Sequence, residues 1–203
     1  MESQALPDIY LASASPRRRQ LLKQLGVHFA EVQQDIEETP QPRESPEVFV
    51  LRLALEKARA GLQALPEDQL RPVLGADTVV VIDDEVLGKP ADEAQAMAML
   101  RRLSGQVHRV LTGVALVTPD HEATRLSVSN VTFRPLQAEE LHAYWRSGEP
   151  CDKAGGYAIQ GRGGGFVAHL DGSYSGVMGL PLFEVGDLLA EFEIAYQRHW
   201  GSG

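Results

Sequence analysis

Ser13, Ser15, Arg17 and Arg18 fall in the run Ser13-Ala14-Ser15-Pro16-Arg17-Arg18-Arg19, between an apolar strand pattern, Ile9-Tyr10-Leu11-Ala12, and a helical one. Ser15 is a good N-cap, and Pro16 suits the first helical position, where its missing N–H has no helical partner anyway. Three arginines then occupy a first turn whose backbone N–H groups already make it positive, and each like charge there costs roughly a few tenths of a kcal/mol. A local rule broken in this way is relieved by an anion. Amides, hydroxyls and guanidinium forks at a helix start make a phosphate site, although a solvated basic helix start is the plainer alternative.

Four further positions carry possible chemistry. Lys57 lies off the charged stripe Arg52, Glu56, Arg59 of its helix, beside Val50, Leu53, Ala60 and Ala64, so it either snorkels or meets an anion. Asp77, followed by Thr78, interrupts the strand-forming run Val73 to Ile82; buried there, a carboxylate needs a cation or metal partner and is a candidate general base. Lys89, after the turn Asp83-Asp84, is placed to reach the same region. The segment Asp152-Lys153-Ala154-Gly155-Gly156-Tyr157-Ala158-Ile159-Gln160-Gly161 has the glycines for close backbone approach, with Gln160 for a base edge and Tyr157 for a base face. It matches neither the Walker loop nor the dinucleotide fingerprint. Cys151 has no histidine near it in sequence and is not read as a nucleophile.

Alternating strands and helices must position these groups. Ser45-Pro46 opens a long helix to about Ala64; the strand from Val73 to Ile82 turns at Asp83-Asp84; Asp92 and Gln95 begin a helix that stops near Ser104-Gly105. Two extended segments follow, Val107 to Val117 and Thr124 to Phe133, then a short helix, Glu139 to Trp145, and a glycine-rich loop, Glu149 to Gly165. The chain closes with a strand, Phe166 to Leu170, and a helix carrying Leu182, Val185, Leu189 and Phe192 in register. The expected fold is α/β: a mixed twisted sheet with flanking helices, two lobes about a central cleft, in one domain over residues 1–203.

Composition limits the ligand. A net charge of −9 over 203 residues argues against the broad basic footprint of a nucleic-acid binder, which stays a distant third reading, and local positive charge points to a small polyphosphate. One cysteine excludes an internal disulfide and fits a reducing compartment. No apolar run approaches a membrane span and Met1 to Pro7 has no signal-peptide core, so a cytoplasmic protein is expected.

Taken in order, Ser13-x-Ser15-Pro16-Arg17-Arg18, Glu37-Glu38, Glu56-Lys57-Ala58, Gly75-Ala76-Asp77-Thr78, Gly88-Lys89-Pro90, Ser104-Gly105, Asp152-Lys153-Ala154-Gly155, Ile159-Gln160-Gly161 and Gly179-Leu180-Pro181-Leu182 resemble the Maf family from about Ile9 to Leu189. The resemblance implies a Maf/ITPase-like fold, cleavage of nucleoside triphosphates between the α and β phosphates, a divalent cation (Mg²⁺ or Mn²⁺) and a homodimer. It places the proton acceptor on Asp77, the metal at Glu38 with Asp77, and phosphate contacts on Ser13, Ser15, Arg17, Arg18, Lys57 and Lys89. Arg17, Thr78 and Gln160 match the branch directed at dTTP and UTP rather than 7-methyl-GTP. A catalytically silent nucleotide-binding regulator linked to cell division and septum formation is the alternative, and a phosphatase releasing orthophosphate would share the anion site.

Overall fold

The structure is a computed structural model and describes residues 6–201. Its centre is a seven-stranded mixed sheet in the order β2-β1-β3-β5-β6-β7, with β4 pairing β3 off that path. The first part is parallel: β1 (Ile9–Ala12) lies between β2 (Phe29–Glu31) and β3 (Val73–Ile82), the crossovers being helices α1 (Pro16–Gln24) and α2 (Pro46–Gln63). The rest is antiparallel, through β4 (Glu85–Leu87), β5 (Val107–Val117), β6 (Glu122–Phe133) and β7 (Val167–Asp171).

Period-two alternation along β3 sorts its side chains onto two faces. Leu74, Ala76, Val80 and Ile82 enter the main core, with α1, α3 (Glu93–Leu103), α4 (Ala138–Arg146) and α6 (Leu182–Glu191) over that face. Val79 and Val81 pack with Phe49, Val50 and Leu53 of α2 on the other. The helix sits very close to the sheet because β3 and β5 offer glycines beneath it: a Cβ on Gly75 would lie 2.2 Å from the Ala54 carbonyl oxygen, and one on Gly113 2.6 Å from that of Val50.

The edge of β3 forks. On one side β5 pairs continuously with Val73 to Val81. On the other, β1 pairs only with Val73 to Gly75 and β4 only with Val80 to Ile82, leaving residues 76–79 unpaired between them. The two lobes are thus arms of one sheet, and the cleft opens where they part. This is the crevice beyond the carboxyl end of β1, where the strand order reverses, the usual ligand position in such sheets.

Most element boundaries lie within a residue or two of those expected. The N-cap roles of Ser45 and Asp92 hold, their side chains accepting from Val48 N–H and Gln95 N–H. Asp83 and Asp84 both have positive φ, which gives the two-residue turn the twist that adjoining strands need. The C-terminal region differs: a separate short helix, α5 (Tyr174–Met178), precedes α6. Gly179 ends it at φ 116 and Pro181 resets the chain, so Ser173 caps a helix that apolar periodicity did not reveal. Among the described residues no helix is long and apolar enough to cross a membrane.

Candidate active site

The fork brings every residue named above as a site candidate onto one cleft of about 710 Å³. Among the described residues, Arg17, Arg18, Lys57, Lys89 and Lys153 line it with three carboxylates, Glu38, Asp77 and Asp152. In a chain of net charge −9 this is a concentrated positive site.

Asp77 and Lys57 form its buried floor. Asp77 points from β3 towards α2, and the close helix sets Lys57 Nζ 2.8 Å from Asp77 Oδ1. The residues are only 7% and 5% exposed. Lys57 therefore does not snorkel. Its ammonium also lies 2.6 Å from Glu38 Oε1, in the loop between β2 and α2, and so bridges two carboxylates. Burial raises the Asp77 pKa above its ordinary value, outweighing the opposing charges of Lys57 and Arg18. Burial works the same way on Glu38, but there the hydrogen bond and charge of Lys57 win and hold the pKa down.

Thr78 points to the opposite face of the sheet, yet the unpaired edge leaves it on the same cleft. Arg18 reaches across to it. The guanidinium donates Nε–H to the Gly179 carbonyl (2.8 Å), Nη1–H to Ser13 Oγ (3.2 Å) and Nη2–H to Thr78 Oγ1 (3.2 Å). Arg18 thereby ties the start of α1 to the end of α5, and enclosure lowers its pKa from the usual arginine value. Ser13 also accepts from Ser15 N–H at 3.3 Å. Ser15 holds the N-cap position with its hydroxyl uncommitted to the helix and beside the cleft. Arg17 and the exposed Lys89 reach the cleft from opposite arms.

The glycine-rich segment forms the remaining wall. Gly155 and Gly156 take φ of 67° and 71°, and Gly155 N–H donates to the Gly88 carbonyl at 3.0 Å, fastening the loop to the end of β4. A Cβ on Gly155 would also come within 3.0 Å of Val80. Further along, Glu149 accepts from Tyr144 Oη at 2.7 Å and from the N–H groups of Arg162 and Gly163, both at 3.0 Å, which frames the turn presenting Gln160. Tyr157 departs from the expected stacking role. It is 6% exposed, its hydroxyl lies 2.8 Å from His108 Nε2, and its ring packs edge-on to Phe133 in the core. Cys151 is free and exposed.

Sequence reasoning missed three contributors. Lys153, quoted only as part of the glycine segment, faces the cleft and pairs with Asp152. The Gly179 carbonyl binds Arg18, which no local pattern indicates. Thr112 is fully buried and hydrogen-bonded to Thr78; the one available signal was a hydroxyl beside Gly113 in the apolar stretch from Val110 to Val117.

Among the described residues no group of three or more His, Cys, Asp or Glu side chains is gathered for a metal. Glu38 and Asp77 both line the anion-binding cleft, each with one oxygen on Lys57 and a second carboxylate oxygen as a hard donor. That donor set suits Mg²⁺, which commonly takes one or two carboxylates and completes its shell with water and substrate phosphates.

The family model described as "Maf-like protein" matches residues 8–192. A dTTP/UTP pyrophosphatase of Alkalilimnicola ehrlichii is 64% identical over 203 residues, covering 98% of this chain and 100% of that protein. Proteins of the same description from Pseudoalteromonas translucida and Escherichia coli O157:H7 are each 53% identical, over 91% and 95% of this chain and 96% and 97% of theirs. Among solved structures, the Staphylococcus aureus Ham1 protein aligns with a TM-score of 0.40 and 14% identity, over 62% of this chain and 71% of that one.

Proposed function

This chain belongs to the Maf-like protein family, and we propose that it hydrolyses dTTP and UTP to the nucleoside monophosphate and pyrophosphate. The observation that carries this reading is the buried Asp77, its pKa raised, on a floor shared with Lys57 in a cleft lined by five cations. A regulator that only holds a nucleotide has no use for a buried carboxylate beside its anion site, because desolvating that charge weakens anion binding.

In this mechanism Asp77 accepts a proton from the water that attacks the α-phosphorus. The bond from that phosphorus to the α–β bridging oxygen breaks, and its electron pair leaves with pyrophosphate. Arg17, Lys89 and the third N–H of Lys57 stabilise the charge on the leaving group. Ser13 and Ser15 belong to the same anion cradle at the start of α1. Arg18, with three of its five N–H donors committed to protein, holds the cradle in shape and offers the other two to phosphate. Glu38, with Asp77, would hold the divalent cation, Mg²⁺ or Mn²⁺, which when bound supplies electrostatic polarisation of the phosphates. Arg17, Thr78 and Gln160 are assigned to recognition of the base. The chain is further proposed to act as a single Maf-like domain, as a homodimer and in the cytoplasm, which light scattering and fractionation test.

The deciding experiment is product analysis with Mg²⁺ or Mn²⁺ on dTTP, UTP, CTP, GTP and 7-methyl-GTP. Pyrophosphate with dTMP and UMP, and little purine turnover, is the expected result; orthophosphate as first product would make the protein a phosphatase. Asp77→Asn should lower kcat on the order of 10²–10⁴-fold with nucleotide binding kept. Near-normal turnover in that variant would remove Asp77 from the chemistry.

A further inference from the structure

Arg18, Thr78, Thr112 and Gly176 form a hydrogen-bonded chain whose direction chemistry fixes. The Gly176 carbonyl can only accept, so Thr112, at 2.8 Å, gives it the single proton of its hydroxyl. Arg18 can only donate, so its Nη2–H, 3.2 Å away, takes one lone pair of Thr78. The two threonine oxygens are 2.9 Å apart. With the Thr112 proton committed, Thr78 must be the donor between them. Its proton is therefore directed to Thr112, which is fully buried, and what remains for the cleft is a lone pair.

Thr78 thus faces the ligand as an acceptor only. Phosphate oxygens at neutral pH have no hydrogen to offer it, so it takes no part in the anion cradle. The donors of a pyrimidine nucleotide that dTTP and UTP share are the imide N3–H of the base and the 3′-hydroxyl of the sugar. We propose that Thr112 is a specificity-positioning residue: by holding the Thr78 proton it makes Thr78 an obligate acceptor for the base N3–H. Uracil and thymine satisfy it. Cytosine brings a lone pair at N3 and is rejected, because a site built to receive a donor is left unpaired. This rests on the pyrimidine triphosphate reading above and adds to it the atom that is read and the residue that sets the polarity.

The test measures kcat/KM and Kd for UTP, CTP, 3′-deoxy-UTP and N3-methyl-UTP on the wild type, Thr112→Val and Thr112→Ser. Valine keeps the shape and frees the Thr78 proton, while the Gly176 carbonyl retains the Gly179 N–H at 2.9 Å. The expected result is a fall of about tenfold or more in the UTP-to-CTP preference in Thr112→Val, with no change in the UTP-to-3′-deoxy-UTP ratio and restoration in Thr112→Ser. A change confined to the 3′-deoxy-UTP ratio would assign the acceptor to the sugar and overturn the proposal. So would equal losses on all four nucleotides, which is the mark of a merely structural threonine. If Thr112→Val fails to fold, the wild type decides: N3-methyl-UTP bound as tightly as UTP overturns the inference. Wild-type protein that turns over no pyrimidine triphosphate would instead defeat the functional reading itself.

Discussion

Lys57 is the residue on which the charge balance of the site turns. Its ammonium lies 2.8 Å from Asp77 and 2.6 Å from Glu38, on a floor closed to solvent at Asp77 and half-open at Glu38. Removing one partner from a buried ion pair leaves the other desolvated and unpaired, a loss of roughly 3–5 kcal/mol, whereas replacing both by apolar groups is often neutral. Lys57→Met is therefore expected to destabilise the fold by about 3 kcal/mol, the lower end because Glu38 is half-exposed. Lys57→Met combined with Asp77→Leu should recover most of that stability while remaining inactive. Denaturant titration of the single and double variants gives the coupling directly, and additive losses would show that the pair is not energetically linked.

The element that makes this pair possible is α2 and its bed of glycines. A side chain on Gly75 would meet the Ala54 carbonyl oxygen at 2.2 Å and the Ala58 nitrogen at 2.7 Å, both backbone atoms of the helix that carries Lys57. Gly75→Ala must lift α2 from the sheet, with an overpacking loss of about 1–3 kcal/mol, and must draw Lys57 away from Asp77. Turnover is expected to fall at least tenfold, since on the order of 1 Å of misplacement at a catalytic group is enough for such a loss. Gly88→Ala is the matched control on the same cleft, because a Cβ there meets nothing within 4 Å. Equal activity in the two variants would show that helix height is not what sets the site.

At the scale of the whole molecule, the wall carrying Gln160 is held to the sheet through a buried histidine. His108 Nε2 of β5 and the Tyr157 hydroxyl are hydrogen-bonded at 2.8 Å, and burial lowers the His108 pKa to about 4. The unfolded chain binds a proton at this residue near the ordinary histidine pKa of about 6.5, which the folded protein refuses until pH falls near 4. Stability therefore drops with falling pH across that window, by about 2 kcal/mol between pH 7 and pH 5. The carboxylates held low, such as Glu44 and Glu140 at about 2, add their losses below that interval. Unfolding curves at pH 7 and pH 5 check this, with His108→Gln expected to flatten the difference. An unchanged slope in that variant would place the pH sensitivity elsewhere.

The positions with chemistry were legible from the sequence because each breaks a local pattern: arginines in a first turn, a lysine off its helix's polar stripe, a carboxylate in a buried strand. Local periodicity also gave the strands and most helices. Tyr157 and Glu38 mark its limit. One was suited by type to stack on a base and is buried on His108 instead; the other was marked only by resemblance and proves to share Lys57 with Asp77. Partners came from tertiary structure alone: Arg18 finds the Gly179 carbonyl 161 residues away, and Thr78 finds Thr112 34 residues away. Side-chain type and spacing determine what a residue needs and which face it occupies. Which group meets that need depends on the fork in β3 and the close approach of α2, and these exist only once distant strands have paired.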